Sequence, residues 1–441
     1  MTRKTQGPAG RHGVARAAGV AAAAVLLLCL WAAGAVAAAP GDVVWRDLAQ
    51  RRPGGDDAYT ALAVSPSGQV CAVGSTAASP GAPPDVLVRT YRSDGSLRWR
   101  RVWTWPGGRA DAAAAVVRAP HGGYVIAGSS GPYWLLLRYT SGGYLQWVRR
   151  GRGSFAQCAL DALAVDDAGN VYAAGSATAA GGSSRLFLLK CSAAGAVRWR
   201  RSYGTDAGAA SASDVVFGAG SVYVAGQAAT GPGTSAAVLA AYSAAGVRRW
   251  VRAYAAPGAV SAQATAVAWV SGPAIAGWST TAGGADDGFV ARYTVGGTQR
   301  WAASYDAADA TADRFRDLAA GADGRVCAAG EVVTAGGAQA LTVCFDAAGS
   351  PLWSLLGPGT QGFAACRFAD GFASVAGTAS FAAARVTAAG AAAWESTDTP
   401  GGYVGFAPAA VQAAGSAYLY AAGSATDAGG ARASLLVRYR P

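Results

Sequence analysis

A short segment of alanine, glycine and a small hydroxyl residue recurs along almost the whole chain. Its glycine returns at intervals of 46 to 54 residues: Gly74, Gly128, Gly175, Gly226, Gly277, Gly330, Gly377 and Gly423. A tryptophan that follows a glycine-containing turn also occurs eight times: Trp45, Trp99, Trp147, Trp199, Trp250, Trp301, Trp353 and Trp394. Repeats of this length with short strands are typical of propeller blades. The sequence therefore predicts an all-β protein, an eight-bladed β-propeller of four-stranded antiparallel blades.

The third repeat shows how four strands fill one such unit. Alternating residues predict strands at 161–165 and 171–176, and two more at 186–190 and 197–201. Small residues dominate the second strand, which we attribute to the close packing of blades face to face. The tryptophan of the fourth strand is interpreted as a packing residue of the wider outer layer.

The two ends of the chain are complementary. Trp45 precedes the first repeat glycine, whereas the last repeat ends at Tyr439 without a tryptophan strand. We therefore expect residues 42–47 to supply the outermost strand of the last blade and to close the ring. Residues 39–441 would then form one propeller domain. Long helical bundles are excluded, because the chain has only two lysines and two glutamates.

Residues 1–38 are predicted to be an export signal. Four positive charges precede an apolar segment from Ala17 to Trp31, and small residues follow around Val36. The alternative is a retained membrane anchor, because residues 17–39 are uncharged and about 20 apolar residues span a bilayer. In either case the remaining chain is expected outside the cytoplasm, secreted or anchored at the cell surface, and in contact with a membrane only through an uncleaved leader.

Arginine accounts for nearly all of the positive charge. The formal net charge of +11 falls to +7 when the four leader charges are removed. Many arginines occur in sequences such as Trp99-Arg100-Arg101, which we interpret as solvated or cross-strand paired residues, spread around the outer edge of the molecule. The alternative is contact with a polyanionic surface or nucleic acid. We do not expect a nucleic-acid partner.

The strand pairs that contain these markers suggest a family. In one pair, a third strand at residues 135–139 is followed by a turn at Gly143 and a fourth strand that contains Trp147. In another, a third strand at residues 289–293 is followed by a turn at Gly297 and a fourth strand that contains Trp301. These segments resemble the repeats of secreted bacterial β-propeller proteins of the cell envelope, and more distantly those of quinoprotein-like eight-bladed propellers. The quinoprotein dehydrogenases have adjacent cysteines and a pattern of calcium-binding and catalytic aspartates, which this chain lacks. We therefore expect no cofactor.

The sequence offers no evident catalytic or metal-binding group. His121 is the one histidine beyond the leader, and the two glutamates stand in different strand contexts. Several aspartates recur at the starts of first strands, which favours a structural role: Asp111, Asp161, Asp214 and Asp317. We therefore predict no catalytic residues and no metal site.

Six cysteines follow the leader, an even number that permits disulfides outside the cytoplasm. Cys327 and Cys344 are nearly symmetric about the loop at residues 335–337, on adjacent predicted strands. Their pairing is the preferred bridge, although a buried, reduced cysteine is the alternative at each position.

The loops between second and third strands and between blades are long and emerge at one end, so that end has room for function. The residue just after the repeat glycine is a small hydroxyl residue in most repeats, but it is Gln227, Trp278 and Glu331 in blades four to six. Asp286 and Asp287 lie in the neighbouring loop of blade five. An aromatic platform beside acids and an amide suits a sugar or a cationic peptide group. We predict a monomeric, noncatalytic binding or scaffold module for protein or carbohydrate. The alternative is a propeller enzyme, either quinone-dependent or acting on polysaccharide.

Overall fold

The computed structural model describes residues 39–307, 310–357, 362–368, 371–377, 380–414 and 418–440. These residues form 32 β-strands joined by turns and loops. No helix in the described part of the chain is long and apolar enough to cross a membrane. The predicted export signal lies outside the described residues.

The strands are named in chain order and grouped into units of four. The first strand, β1, covers Val43–Ala49. Unit 1 contains β2 (Asp56–Val64), β3 (Val70–Ala77), β4 (Asp85–Tyr91) and β5 (Leu97–Trp103). Unit 2 contains β6 (Asp111–Arg118), β7 (Tyr124–Ser130), β8 (Tyr133–Tyr139) and β9 (Leu145–Gly151). Unit 3 contains β10 (Gln157–Val165), β11 (Val171–Thr178), β12 (Ser184–Cys191) and β13 (Val197–Tyr203).

The remaining units follow the same order. Unit 4 contains β14 (Ala210–Gly218), β15 (Ser221–Gly231), β16 (Thr234–Ser243) and β17 (Arg248–Tyr254). Unit 5 contains β18 (Ala259–Trp269), β19 (Pro273–Thr281), β20 (Asp286–Tyr293) and β21 (Gln299–Tyr305). Unit 6 contains β22 (Ala310–Ala320), β23 (Val326–Thr334), β24 (Gly337–Phe345) and β25 (Pro351–Gly357). Unit 7 contains β26 (Gly362–Phe368), β27 (Gly371–Gly377), β28 (Phe381–Thr387) and β29 (Ala392–Asp398). Unit 8 contains β30 (Tyr403–Ala414), β31 (Tyr418–Asp427) and β32 (Arg432–Tyr439), together with β1.

Each unit is an antiparallel meander, so sequence neighbours pair side by side. The described strands form six four-stranded sheets and one eight-stranded sheet. In the larger sheet a single parallel residue pair, Asp286 with Ala312, joins units 5 and 6. The exception to the meander is unit 8, where β1 pairs with β32 and places Trp45 opposite Arg438. The N-terminal strand is therefore the outermost strand of the last sheet.

The repeated tryptophans connect each unit to the next. In unit 1, the Trp99 indole N–H donates to the Ser141 carbonyl at 3.0 Å, in the turn between β8 and β9. A Cβ on Gly143 in that turn would lie 2.7 Å from the Trp99 ring, so only glycine leaves room for it. The same pair of contacts recurs at Trp147, Trp199, Trp250, Trp301, Trp353 and, from β1 to unit 1, Trp45. The tryptophans therefore pack as expected and also hydrogen-bond across unit boundaries.

A β-bulge in the first strand explains the repeated glycine of the second strand. In unit 4 the register of β14 shifts between Ala212 and Asp214, leaving Ser213 as the extra residue. The bulge brings the Ser211 carbonyl to within 1.9 Å of the place where a Cβ on Gly226 would lie. For seven of the eight repeat glycines, an added Cβ would lie only 1.8 to 2.2 Å from such a carbonyl oxygen: Gly74, Gly128, Gly175, Gly226, Gly277, Gly330 and Gly423. The glycine is required mainly by its own sheet and not by the packing of neighbouring blades.

Replacing Gly226 with alanine is expected to lower the free energy of unfolding by about 3 kcal/mol, because backbone atoms in the bulge must move. Gly181 is the matched control, since a Cβ there meets no atom within 4 Å. Its replacement by alanine should leave stability unchanged or raise it by up to about 1 kcal/mol. Urea denaturation of both variants measures the difference. Equal stability of the two variants would contradict this explanation of the repeat.

Candidate functional site

The first strands of seven units line a polar cavity of about 370 Å³. Its walls come from β2, β6, β10, β14, β18, β22 and β30. The polar side chains in the wall include Thr60, Asp161, Ser213, Asp214, Arg316 and Asp317. Four of these six, Thr60, Asp161, Ser213 and Arg316, are the extra residues of β-bulges. The bulge therefore brings polar groups to the cavity in a fold whose first strands are otherwise rich in small apolar residues.

Hydrogen bonds between neighbouring first strands hold the cavity wall in place. Thr60 Oγ1 in β2 donates to the Ala113 carbonyl in β6 at 2.8 Å. Thr265 Oγ1 in β18 makes the equivalent bond to the Phe315 carbonyl in β22 at 2.9 Å. These two bulge side chains, Thr60 and Thr265, therefore fix neighbouring parts of the wall relative to each other.

Asp214 is the most strongly perturbed carboxyl group of the cavity. Burial raises its pKa to about 7, and the neighbouring Asp317 carboxylate also raises it. Hydrogen bonds from the Val267 and Val215 backbone N–H groups, at 2.8 and 2.7 Å, act in the opposite direction. Burial also raises the pKa of Asp161, although its side chain is in contact with the solvent of the cavity. Because burial disfavours the ionised form of Asp161 and Asp214, a cation bound beside them would favour that form.

The expectation that four aspartates share one structural position is wrong. Asp111 begins β6, and its Oδ2 accepts a hydrogen bond from the Trp105 backbone N–H at 2.6 Å. Asp161 is a bulge residue, whereas Asp214 and Asp317 follow the bulge residue of their strands. A bulge shifts the strand by one residue, so similar positions along the sequence place side chains differently. Asp111 has a structural contact of the expected kind, and Asp214 and Asp317 also accept hydrogen bonds from backbone N–H groups.

Arg316 connects the cavity to the ligand site predicted from the sequence. Its guanidinium carbon lies 4.7 Å from the centre of the Trp278 ring, and its Nη2 donates to Glu331 Oε1 at 2.7 Å. Arg314 Nε donates to Asp286 Oδ2 at 2.6 Å, and its Nη1 lies 3.6 Å from Glu331 Oε1. Asp286 and Glu331 are buried. The two arginines thus join Trp278 and the two acids into one charged cluster at the boundary of units 5 and 6.

The structure brings together three of the five predicted site residues: Trp278, Asp286 and Glu331. Asp287 is the sequence neighbour of Asp286, and its pKa is raised by burial and by the nearby Asp306 and Asp286 carboxylates. Gln227 lies apart, in a separate depression of about 500 Å³ lined mainly by β15 and its loop. The predicted amide therefore does not join the tryptophan and its acids.

Two arginines lie against the predicted aromatic residue and its acids. Arg316 covers the Trp278 ring, and both arginines neutralise Glu331. These arginines were missed because arginines were interpreted only in the outer strands. A usable signal was present, since Arg314 and Arg316 are two long cationic residues in a first strand, where the other repeats have mostly small residues.

The predicted disulfide between Cys327 and Cys344 is confirmed, and it links paired positions of β23 and β24. Cys71, Cys158 and Cys191 are buried thiols. Burial raises the pKa of Cys158 to about 12 and that of Cys191 to about 11, so both remain protonated and poorly reactive. The Cys366 side chain lies outside the described part of the chain. Within that part, no group of three or more His, Cys, Asp or Glu side chains could hold a metal ion.

Solved structures of low sequence identity have a similar fold. The C-terminal WD40 domain of Sif2 is 9% identical, with a TM-score of 0.54, and the match covers 88% of this chain and 98% of that one. Sqt1 from Chaetomium thermophilum is 13% identical, with a TM-score of 0.57, over 91% of this chain and 98% of that one. No protein-family model matches the chain, and no curated protein is significantly similar to it. The similarities show that the chain has a β-propeller fold of the kind found in WD40 repeat proteins.

The raised pKa of Asp214 predicts a pH-dependent stability. Because the folded-state pKa of about 7 lies above the unfolded value of about 3.9, this group favours folding below pH 4 and loses that effect as the pH rises through 7. The free energy of unfolding of the wild type relative to Asp214→Asn should therefore fall by roughly 2 kcal/mol between pH 5 and pH 8. Asp94→Asn is the control, since hydrogen bonds with Ser96 lower the pKa of that exposed carboxyl group. If the difference in the free energy of unfolding between the wild type and Asp214→Asn did not change with pH, the raised pKa of Asp214 would be contradicted.

Proposed function

We propose that this protein is an extracytoplasmic, noncatalytic binding module for a protein or carbohydrate partner. In this proposal the export signal at residues 1–38 directs a monomeric propeller to the cell surface or the medium, as the resemblance to cell-envelope propeller repeats implies. The proposal includes a closed ring of eight blades, which correspond to units 1 to 8.

Contacts between the last and first units support the closed ring. Apolar residues of β2, β3 and β4 pack with residues of β31 and β32 in one hydrophobic cluster. Asp47 in β1 accepts a hydrogen bond from the Tyr91 hydroxyl at 2.5 Å, and Tyr91 in turn contacts the Tyr59 hydroxyl at 2.7 Å. Arg432 in β32 pairs with Asp56 in β2. The same kinds of apolar and polar contact join units 8 and 1 as join consecutive units elsewhere.

The cavity lined by the first strands is the observation that carries the binding proposal. Three carboxyl groups, Asp161, Asp214 and Asp317, contribute to its wall. Among the residues that the structure describes in this wall, Arg316 is the cation, and it is paired with Glu331. The raised pKa values of Asp161 and Asp214 therefore favour a cationic group, such as a lysine or arginine side chain of a protein partner.

The Arg316 cluster gives this cavity a defined wall. Trp278 supports one face of the guanidinium, and Glu331 fixes the position of its nitrogen atoms. Without these contacts Arg316 could turn towards the aspartates and occupy the place of a cationic ligand. In this proposal Trp278 and Glu331 are positioning residues, and the aspartates contact the ligand.

Removing β1 tests the closed ring. A chain that begins at Gln50 should melt at least about 5 °C below one that begins at Ala39, because it loses the pairing with β32 and the Trp45 contacts. A synthetic peptide of residues 40–50 should restore the higher melting temperature in a concentration-dependent manner. Thermal melts followed by circular dichroism provide the measurement. Equal melting temperatures for the two chains would refute closure by β1.

The binding proposal is tested on arrays of lysine- and arginine-containing peptides, with neutral analogues and a glycan array alongside. Asp161→Asn and Asp214→Asn should each raise the Kd for a captured cationic peptide about tenfold, because a charged contact is lost. Asp94→Asn changes an exposed turn residue and should have no effect. Fluorescence anisotropy on labelled peptides gives the Kd. Unchanged affinity in both cavity variants, or capture of neutral analogues with the same affinity, would disprove the cationic-ligand assignment.

A further inference from the structure

The outermost strands of units 1 to 4 are strongly basic. Within β5, β9, β13 and β17 there are eleven arginines and no acidic residue: Arg98, Arg100, Arg101, Arg149, Arg150, Arg198, Arg200, Arg201, Arg248, Arg249 and Arg252. The outermost strands of the other four units, β21, β25, β29 and β1, contain Arg46 and Arg300 but also three acids: Asp47, Glu395 and Asp398. The expectation that these arginines are spread around the molecule is therefore wrong. We call the outer strands of units 1 to 4 the basic band.

Protection of exposed sheet edges does not explain the basic band. Charged residues on an edge strand discourage pairing with other chains, and every unit has one such edge. If this were the reason, all the outer strands would need arginine. Yet β25 has the sequence PLWSLLG, without any charged residue, and leaves Leu352 and Leu356 exposed. The concentration of arginine in four consecutive units thus calls for another explanation.

Four of the eleven arginines have a structural role. Arg101 Nε donates to the Gly143 carbonyl in the next unit at 2.9 Å, and Arg149, Arg201 and Arg252 make the equivalent bond at 2.6 to 2.7 Å. These residues strengthen the contacts made by the neighbouring tryptophans. The other seven arginines have no acidic partner within their own strands. Among them Arg100, Arg198 and Arg249 are exposed.

Aromatic rings alternate with arginines across the unit boundaries of the band. The Arg150 guanidinium lies 4.1 Å from the Trp105 ring centre and 4.0 Å from that of Tyr133. Arg200 of unit 3 lies 5.7 Å from the Trp134 ring centre in unit 2, and Arg248 of unit 4 lies 5.9 Å from the Tyr203 ring centre in unit 3. Stacking on a ring fixes the plane of a guanidinium and leaves its edge available for two parallel hydrogen bonds.

We propose that the basic band binds an acidic polysaccharide through the carboxylates of its sugar units. A row of oriented guanidinium groups suits a linear polymer with repeated carboxylates, because each can be held by two hydrogen bonds. Trp105 is 38% exposed and offers an apolar face to a sugar ring. Tyr133 and Tyr203 are half-buried against arginines, which leaves little free ring area for stacking nucleic-acid bases. This surface is separate from the first-strand cavity and does not depend on the function proposed for it.

The test uses the purified protein and polygalacturonate as the probe, with dextran as the uncharged polymer and a double-stranded DNA oligonucleotide as another polyanion. The triple variant Arg100→Gln, Arg198→Gln and Arg249→Gln should raise the Kd for polygalacturonate about tenfold at low salt. The control is a second triple variant, Arg52→Gln, Arg300→Gln and Arg440→Gln, which removes the same charge from exposed positions outside the band. Its Kd should change by less than about twofold. Added salt should weaken wild-type binding.

Each other outcome would overturn the proposal. Equal weakening by both triple variants would mean that only net charge matters. Absence of wild-type binding to polygalacturonate, or equal binding to dextran, would exclude an acidic polysaccharide. DNA bound more tightly than polygalacturonate would assign the band to nucleic acid. Thermal melts of both triple variants confirm that binding is compared between equally folded proteins.

Discussion

The close approach of a first-strand carbonyl to a second-strand glycine is the contact on which the whole arrangement depends. A Cβ added at Gly330, for example, would lie 1.8 Å from the Arg314 carbonyl oxygen. This contact permits the bulge, and the bulge turns Arg316 towards the cavity and towards Trp278 and Glu331. The glycine therefore determines where the functional side chains of the neighbouring strand can lie. The glycine therefore contributes to the site by setting the backbone that carries Arg316.

The second repeated contact acts between units and has a different consequence. Each tryptophan occupies the space left by a turn glycine of the next unit, as Trp250 does against Gly297. Such contacts join only nearest neighbours, so a unit at a free end would lose half of its packing, as in other repeat proteins. Trp45 makes this contact from the N-terminal strand to Gly95 in unit 1. In the proposed closed ring, the N-terminal strand would give the last unit the same kind of neighbour that every other unit has.

The sequence was sufficient for features that repeat and insufficient for features that depend on register. Spacing located the glycines, the tryptophans and the Cys327–Cys344 pair, because each follows from position along a strand. It could not reveal the bulges, since an extra residue in a strand leaves no mark in composition. As a result Asp161 and Asp214 were assigned to one structural position, and Arg316 was overlooked. The cavity is built from residues whose direction is set by those bulges.

Charge is separated along the width of the sheets of units 3 and 4. Asp161 and Asp214 lie on the first strands of these units, and arginines of the basic band lie on their fourth strands. Three strand spacings of about 4.8 Å place these charges about 14 Å apart. That distance exceeds the Debye length of about 8 Å at physiological salt, so the two sets interact weakly through solvent. A cationic ligand at the cavity and an anionic polymer at the outer edge would therefore bind without strong mutual interference, which allows one propeller to hold both.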